Sequence, residues 1–368
     1  MVKQKGEKKM RRIQLAVLFG GCSNEYHVSL RSAAAVLEHL NRAQYDIIMV
    51  GITRRGEWFR YEGELEAIRE DRWHQLTHCC LPISFSPSRS IRGILEWRDQ
   101  RVVTVPIDLA FPVLHGKNGE DGSVQALLDL CGIPYVGCGM VSSVICMDKA
   151  IAHTLVRAAG IPTATSIILY AGDDLKQIWE RIETMTFPLF VKPAKSGSSI
   201  GITKVVEKNG LVDAIQRAFQ HDDKVVIEEE VAGIEVGCAV LGDAADPFMG
   251  EIDEIELLST GFFDYEEKYA LNSAKIHLPA RLDDSTVRKI KTTAHTIYKI
   301  LGCQGLARVD LFLKPDGTLL FNEVNTMPGF TAHSRYPQMM EAAGLSFGEL
   351  LDRLIEMALA KGERAYAT

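Results

Sequence analysis

Arg308-Val-Asp-Leu-Phe-Leu-Lys-Pro-Asp-Gly-Thr-Leu-Leu-Phe-Asn-Glu-Val-Asn325 is the stretch from which the fold is read. Apolar and polar residues alternate on both sides of Pro315-Asp316-Gly317, the pattern of a β-hairpin closed by a glycine turn. Leu311, Leu313, Leu319 and Phe321 give the hairpin a face to bury. Side chains two apart on a strand share a face, so Glu323 and Asn325 project together. Asp310 joins them across the hairpin. Three oxygen donors with little else suit Mg²⁺, which takes few carboxylates and keeps places for water and nucleotide phosphates.

Upstream, the sequence supplies groups such an ion would work beside. The segment Lys195-Ser-Gly-Ser-Ser-Ile-Gly201 follows the strand pattern ending at Lys192, and it can offer backbone N–H groups to a phosphate. Lys149 and Lys192 can each meet a phosphate as a point charge. Glu228-Glu229-Glu230, ending an apolar strand, can offer a carboxylate and backbone groups to a purine and ribose. Neither a GxxxxGK[ST] loop nor the kinase motif set is present, so a nucleotide would be held by another architecture. Asp148 reads as an N-cap for a helix whose apolar stripe is Ile151, Leu155, Val156 and Ala159, stopped by Gly160 and Pro162. Near the N-terminus, Gln14 to Gly21 reads as a strand entering a glycine turn. A helix bearing Val28, Ala35, Val36 and Leu40 follows, then a strand over 46–52. That spacing predicts a parallel α/β sheet. Val102 to Leu114 reads as a further strand pair, and helical patterning closes the chain from Gly348.

The 368 residues are 46% hydrophobic and 24% charged, which describes a globular protein of two or three domains. A net charge of −7 argues against nucleic acid and anionic membrane as partners. The eight cysteines are scattered without a CxxC pair, so free thiols are expected rather than disulfides or zinc. The basic leader Met1 to Arg12 is followed by an apolar run too short to span a membrane, without a signal-peptide cleavage pattern. The expected location is the cytoplasm.

Met147-Asp-Lys149, Val191-Lys-Pro193, Ser196 to Gly201, the Glu228 segment, Arg308-Val-Asp310 and Asn322 to Gly329 together resemble the ATP-grasp ligases. Phe19-Gly-Gly with Glu25 and Val28-Ser29, Leu114-His-Gly with Gly119-Glu-Asp-Gly122, and Phe263 to Tyr269 narrow the likeness to the D-alanine–D-alanine ligase family. The likeness runs in order from about residue 13 to about residue 360. It implies an α/β (α+β) ATP-grasp fold in three domains after a disordered leader 1–12: an N-terminal α/β domain 13–147, a central subdomain 148–230 and a C-terminal subdomain 231–368. It also implies a cytoplasmic homodimer that uses ATP and Mg²⁺, with Mn²⁺ able to substitute, to join D-alanine to a second D-amino acid.

Carried over by motif, Glu25 receives the first D-alanine's ammonium and His115 lies beside its carboxylate. Lys149, Lys192 and Lys268 surround the ATP phosphates, with Ser199 in the loop over them. Glu228, Val231 and Glu235 hold adenine and ribose. Ser198, Tyr269 and Glu25 form a trio tying the two loops to the N-terminal domain. Arg308 and the Gly329 N–H steady the transferring phosphoryl and the oxyanion, while Asp310, Glu323 and Asn325 are the magnesium ligands. Ser334 binds the second substrate's carboxylate. Arg335 stands where ordinary D-Ala–D-Ala ligases have an apolar residue. With the 262–271 stretch it makes the chain look more like the vancomycin-resistance D-Ala–D-Ser ligases of the VanG type, so D-serine is the favoured acceptor. The alternatives are a housekeeping D-alanine–D-alanine ligase, another ATP-grasp carboxylate–amine ligase, and a non-catalytic ATP-binding module.

Overall fold

The computed structural model describes residues 11–197, 200–257 and 274–366. Seven strands form the first sheet: β1 (Ile13–Gly20), β2 (Tyr45–Ile52), β3 (Trp58–Tyr61), β4 (Cys80–Phe85), β5 (Gly93–Arg98), β6 (Arg101–Pro106) and β7 (Leu109–Pro112), in the order β6-β5-β4-β3-β2-β1-β7. Only β2, β1 and β7 run parallel. The expected parallel sheet is therefore mixed, because the link from Ile52 to Trp58 is too short for a crossover and β3 turns back antiparallel. β1 lies inside the parallel trio, and Leu15 to Phe19 are fully buried. The helix Tyr26–His39 covers one face, burying Val28 and Val36 as expected, whereas Ala35 stays half-exposed. Arg11 and Arg12, read as part of the leader, hold Asp108 and Asp46.

A second sheet contains β8 (Ser166–Tyr170), β9 (Leu189–Pro193), β10 (Thr203–Val205) and β11 (Lys224–Glu229), in the order β10-β9-β11-β8. A third contains β12 (Ile234–Gly242), β13 (Phe248–Leu257), β14 (Ala274–His277), β15 (Gly305–Leu313) and β16 (Leu319–Asn325), in the order β14-β13-β12-β15-β16. The hairpin read from the sequence is β15 and β16. Its register sets Arg308 opposite Asn325 and Asp310 opposite Glu323, then slips so that Leu311 faces Phe321. Asn322 is the extra residue of that bulge, a distortion common beside functional sites.

The helix Lys149–Ala158 links the sheets. The Asp148 side chain accepts from the Ala150 and Ile151 amides and from Lys224 Nζ at 2.6 Å, so it caps the helix as its sequence predicts. The expected apolar stripe is buried only at Val156, however. Ile151 and Leu155 are both 37% exposed, and the helix turns Lys149, Ala150, Ala152, His153 and Val156 inward. The helices Arg335–Ala342 and Phe347–Tyr366 pack Tyr336, Met339, Met340, Leu350, Leu354 and Ile355 into the same core as β1. All eight cysteines are free. No helix of the described residues is long and apolar enough to cross a membrane.

Candidate active site

Two cavities lie side by side between the sheets. One, of about 440 Å³, is lined by Lys149, Lys192, Glu228, Val231, Glu235 and Glu323 among others. The second, of about 450 Å³, gathers Glu25, His115, Arg308, Asn325, Gly329, Ser334 and Arg335. Lys149, Ser196 and Glu323 belong to both walls, so the cavities meet there. Residues spread over three hundred positions of sequence are thus brought to one place. Ser198, Ser199, Lys268 and Tyr269 lie outside the described residues.

In the first cavity the helix start puts Lys149 against the Ser196 carbonyl at 2.9 Å and Glu323 at 3.3 Å. Lys192, on β9, pairs with Glu228 on the neighbouring β11. Burial pushes the Glu228 carboxyl up, and the charge and hydrogen bond of Lys192 more than offset that, leaving it below the ordinary range. Glu229 and Glu230 also line this cavity, and their carboxylates accept from the Thr186 amide and from Lys204 Nζ. Glu235 reaches from β12 to Arg335 at 3.6 Å.

At the junction, Arg308 grips Asp310 with Nε and Nη2 at 2.7–3.1 Å. Asn325 Nδ2 donates to Asp310 at 3.0 Å. Asp310, Glu323 and Asn325 therefore form the oxygen-rich patch that the hairpin pattern predicts. Among the described residues no group of three or more His, Cys, Asp or Glu is placed to hold a metal by itself. Two carboxylates and an amide fit a hard cation whose shell is completed by water and phosphate oxygens, which is the preference of Mg²⁺.

In the second cavity, Glu25 precedes the helix Tyr26–His39 and lies against the backbones of Gly116 and Gly197. A Cβ on either glycine would sit 2.4 or 2.7 Å from its Oε2. His115 Nδ1 donates to the Met327 carbonyl at 2.9 Å, and Nε2 meets Ser32 Oγ at 3.0 Å. Burial pulls the His115 pKa down against the raising effects of Glu25 and of the hydrogen bond to Met327. Ser334 Oγ accepts from the Thr331 amide at 3.1 Å and stands 3.0 Å from where a Cβ on Gly329 would project.

Two acidic residues of this site escaped the sequence reading. Glu120 accepts from the Gly116 and Met327 amides, and burial followed by the Glu25 charge pushes its carboxyl up to about 8. Asp253, fully buried on β13, takes Arg335 Nε and Nη2 at 2.6 and 2.8 Å. Burial pushes Asp253 up and Arg335 overcomes it. Arg335 also lies 3.6 Å from Asp310, so it belongs to a buried charge network reaching the patch at Asp310. The Gly119-Glu-Asp-Gly122 motif could have flagged Glu120. Nothing local marks Asp253, which is one acid in the run Glu251-Ile-Asp-Glu254.

The family described as D-ala D-ala ligase N-terminus matches residues 14–138, and D-ala D-ala ligase C-terminus matches residues 155–356. The chain is 43% identical to the D-alanine–D-alanine ligase of Caldicellulosiruptor bescii over 360 residues, 96% of this chain and 97% of that protein. It is 51% identical to the VanG D-Ala:D-Ser ligase of Enterococcus faecalis, whose crystal structure it matches with a TM-score of 0.87 over 95% of this chain and 100% of that one. The D-alanine–D-alanine ligase of Bacillus anthracis, solved with ATP, is 29% identical and matches with a TM-score of 0.72 over 96% and 99% of the two chains.

Proposed function

This chain belongs to the D-alanine–D-alanine ligase family, and on that premise we propose that it joins D-alanine to a second D-amino acid with ATP, D-serine being the favoured acceptor. The observation that carries the reading is the meeting of the two cavities at Lys149, Ser196 and Glu323, beside Arg308 and Asp310. A nucleotide in the first cavity then presents its terminal phosphate to a carboxylate in the second.

A carboxylate is a poor electrophile, so it is first converted to an acyl phosphate. The first D-alanine places its ammonium at Glu25 and its carboxylate near His115. Lys149 and Lys192 flank the phosphates, Glu228 and Val231 hold the adenine, and Glu235 the ribose. Asp310, Glu323 and Asn325 would hold Mg²⁺, which when bound would neutralise charge between the two anions. Arg308 then holds the oxyanion formed when the second amine attacks, helped by the Gly329 N–H. One such donor contributes about 2.7–4 kcal/mol to the transition state. Ser334 receives the acceptor's carboxylate. We assign the acyl phosphate's cover to the loops that carry Ser198, Ser199, Lys268 and Tyr269. The division at 147/148 and 230/231, the homodimer and the cytoplasmic setting belong to the same proposal, and the dipeptide would end peptidoglycan precursors.

For the acceptor, Arg335 lines the cavity beside Ser334, and a guanidinium there favours a hydroxyl-bearing side chain over a methyl one. A D-Ala–D-Ser product would confer vancomycin resistance. One observation favours D-alanine instead: Asp253 engages Nε and Nη2 of that guanidinium. Purified enzyme given D-alanine, D-serine and ATP should accumulate the mixed dipeptide. Accumulation of the Ala–Ala product alone would sink the D-serine reading, and no phosphate release with any D-amino acid would leave a non-catalytic ATP-binding module.

A further inference from the structure

His153 stands on the inward face of the helix Lys149–Ala158, only 3% exposed. Its Nε2 lies 2.7 Å from the carbonyl oxygen of Asn322, the residue that the bulge in β16 leaves without a partner across the hairpin. A carbonyl has no proton to give, so Nε2 carries the N–H. In the neutral ring Nδ1 is then a bare acceptor, and it faces Glu228 Oε1, also an acceptor, at 3.5 Å. Neither atom has a hydrogen-bond partner among the described residues. Two buried acceptors facing each other are unfavourable unless a proton comes between them.

The surrounding charges decide when that proton arrives. Lys192 holds the other oxygen of Glu228, Lys149 starts the histidine's own helix, and Glu323 follows Asn322 on β16. On the far side Arg157 and Arg181 share a cavity of about 290 Å³ with His153, and no carboxylate lines it. Burial lowers the His153 pKa, Glu228 raises it, and Lys192 and Lys149 lower it again, with the ring left below its ordinary value. Phosphates laid against Lys149 and Lys192 would cancel the two lysines and leave Glu228 in command.

We propose that His153 is a positioning residue for the nucleotide, taking a proton from solvent onto Nδ1 as the nucleotide binds and donating that N–H to Glu228 Oε1. No other bond forms or breaks. The imidazolium then braces β11 against the Asn322 bulge, fixing the purine-facing carboxylate relative to the strand that carries Glu323. The inference rests on the reading of Glu228, Lys149 and Lys192 as nucleotide ligands. Its sign follows from linkage: binding draws a proton in, so affinity is highest below the pKa of the free state, falls as pH rises from there towards the pKa of the bound state, and is flat above it.

The test is calorimetric titration of the full chain with ADP and Mg²⁺, in buffers of different ionisation enthalpy, from pH 6.5 to 8.5 in steps. Wild type should take up protons on binding. H153N, whose amide can donate to Glu228 without titrating, should bind ADP comparably but lose that uptake and the pH dependence of affinity. H153F, with no donor, should bind about tenfold more weakly, the cost of one charge-assisted hydrogen bond. Unchanged proton uptake in H153N, or wild-type affinity in H153F, overturns the inference while leaving the nucleotide reading intact. If wild type binds no ADP, both fall.

Discussion

Glu120 is held by two backbone amides, yet burial and the neighbouring Glu25 keep its carboxyl protonated up to about pH 8. In the unfolded chain it ionises in the ordinary carboxylate range, so between that range and about 8 the folded state binds more protons than the unfolded one. This group's contribution to stability is greatest below the unfolded pKa, falls as pH rises towards about 8, and is flat above. Urea unfolding at pH 5, 7 and 9 should show that decline in wild type and a shallower one in E120Q. E120Q should also be the less stable protein at pH 5, because its amide turns an N–H towards one of the two backbone donors. Arg335 makes a different point at the same scale. Its difference from the ordinary family pattern was legible in the sequence, but its engagement by Asp253 was not, since the partners lie 82 positions apart and meet only where the helix Arg335–Ala342 packs against β13.

At the scale of elements, the hairpin was the most legible part of the protein. Alternation, a glycine turn and paired acids are all local signals, and they bring Asp310 across the hairpin from Glu323 and Asn325, whereas the bulge at Asn322 that sets Asp310 opposite Glu323 left no such signal. The helix Lys149–Ala158 was half legible. Its cap and its stop were read correctly, but of the apolar stripe only Val156 is buried, because this helix turns Lys149 inward to line the site and buries His153 against Glu228 and Asn322. Hydrophobic periodicity finds the face that fills a core and misses one that builds a polar site. The mixed sheet failed for a similar reason: residues 58–106 form short strands whose pairing is set by turn length rather than by composition. The cap carries its own prediction. D148A removes the acceptor for the Ala150 and Ile151 amides and the partner of Lys224, and should cost about 1–2 kcal/mol. By loosening Lys149 it should also raise KM for ATP severalfold, as coupled phosphate-release assays would show.

The whole molecule works as a joint between two cavities, with residues from all three sheets or their flanking loops on the walls. That joint depends on packing far from it. Leu354, on the final helix, is 1% exposed in the core that also contains Leu15, Val17 and Phe19 of β1. L354A should lower stability by about 2–5 kcal/mol in chemical denaturation, with ligand affinities changing little under native conditions. A normal unfolding midpoint would show that the final helix is not needed by the first sheet. The same arrangement bears on biosynthesis. Tyr45, on β2, donates to Asp352 at 2.9 Å, so this strand finds part of its cover in a residue translated 307 positions later. At roughly 5–20 residues per second, the nascent first sheet waits on the order of ten seconds or more with that flank open. Until then the face of β2 that carries Tyr45 has none of the cover that the helix Phe347–Tyr366 gives it.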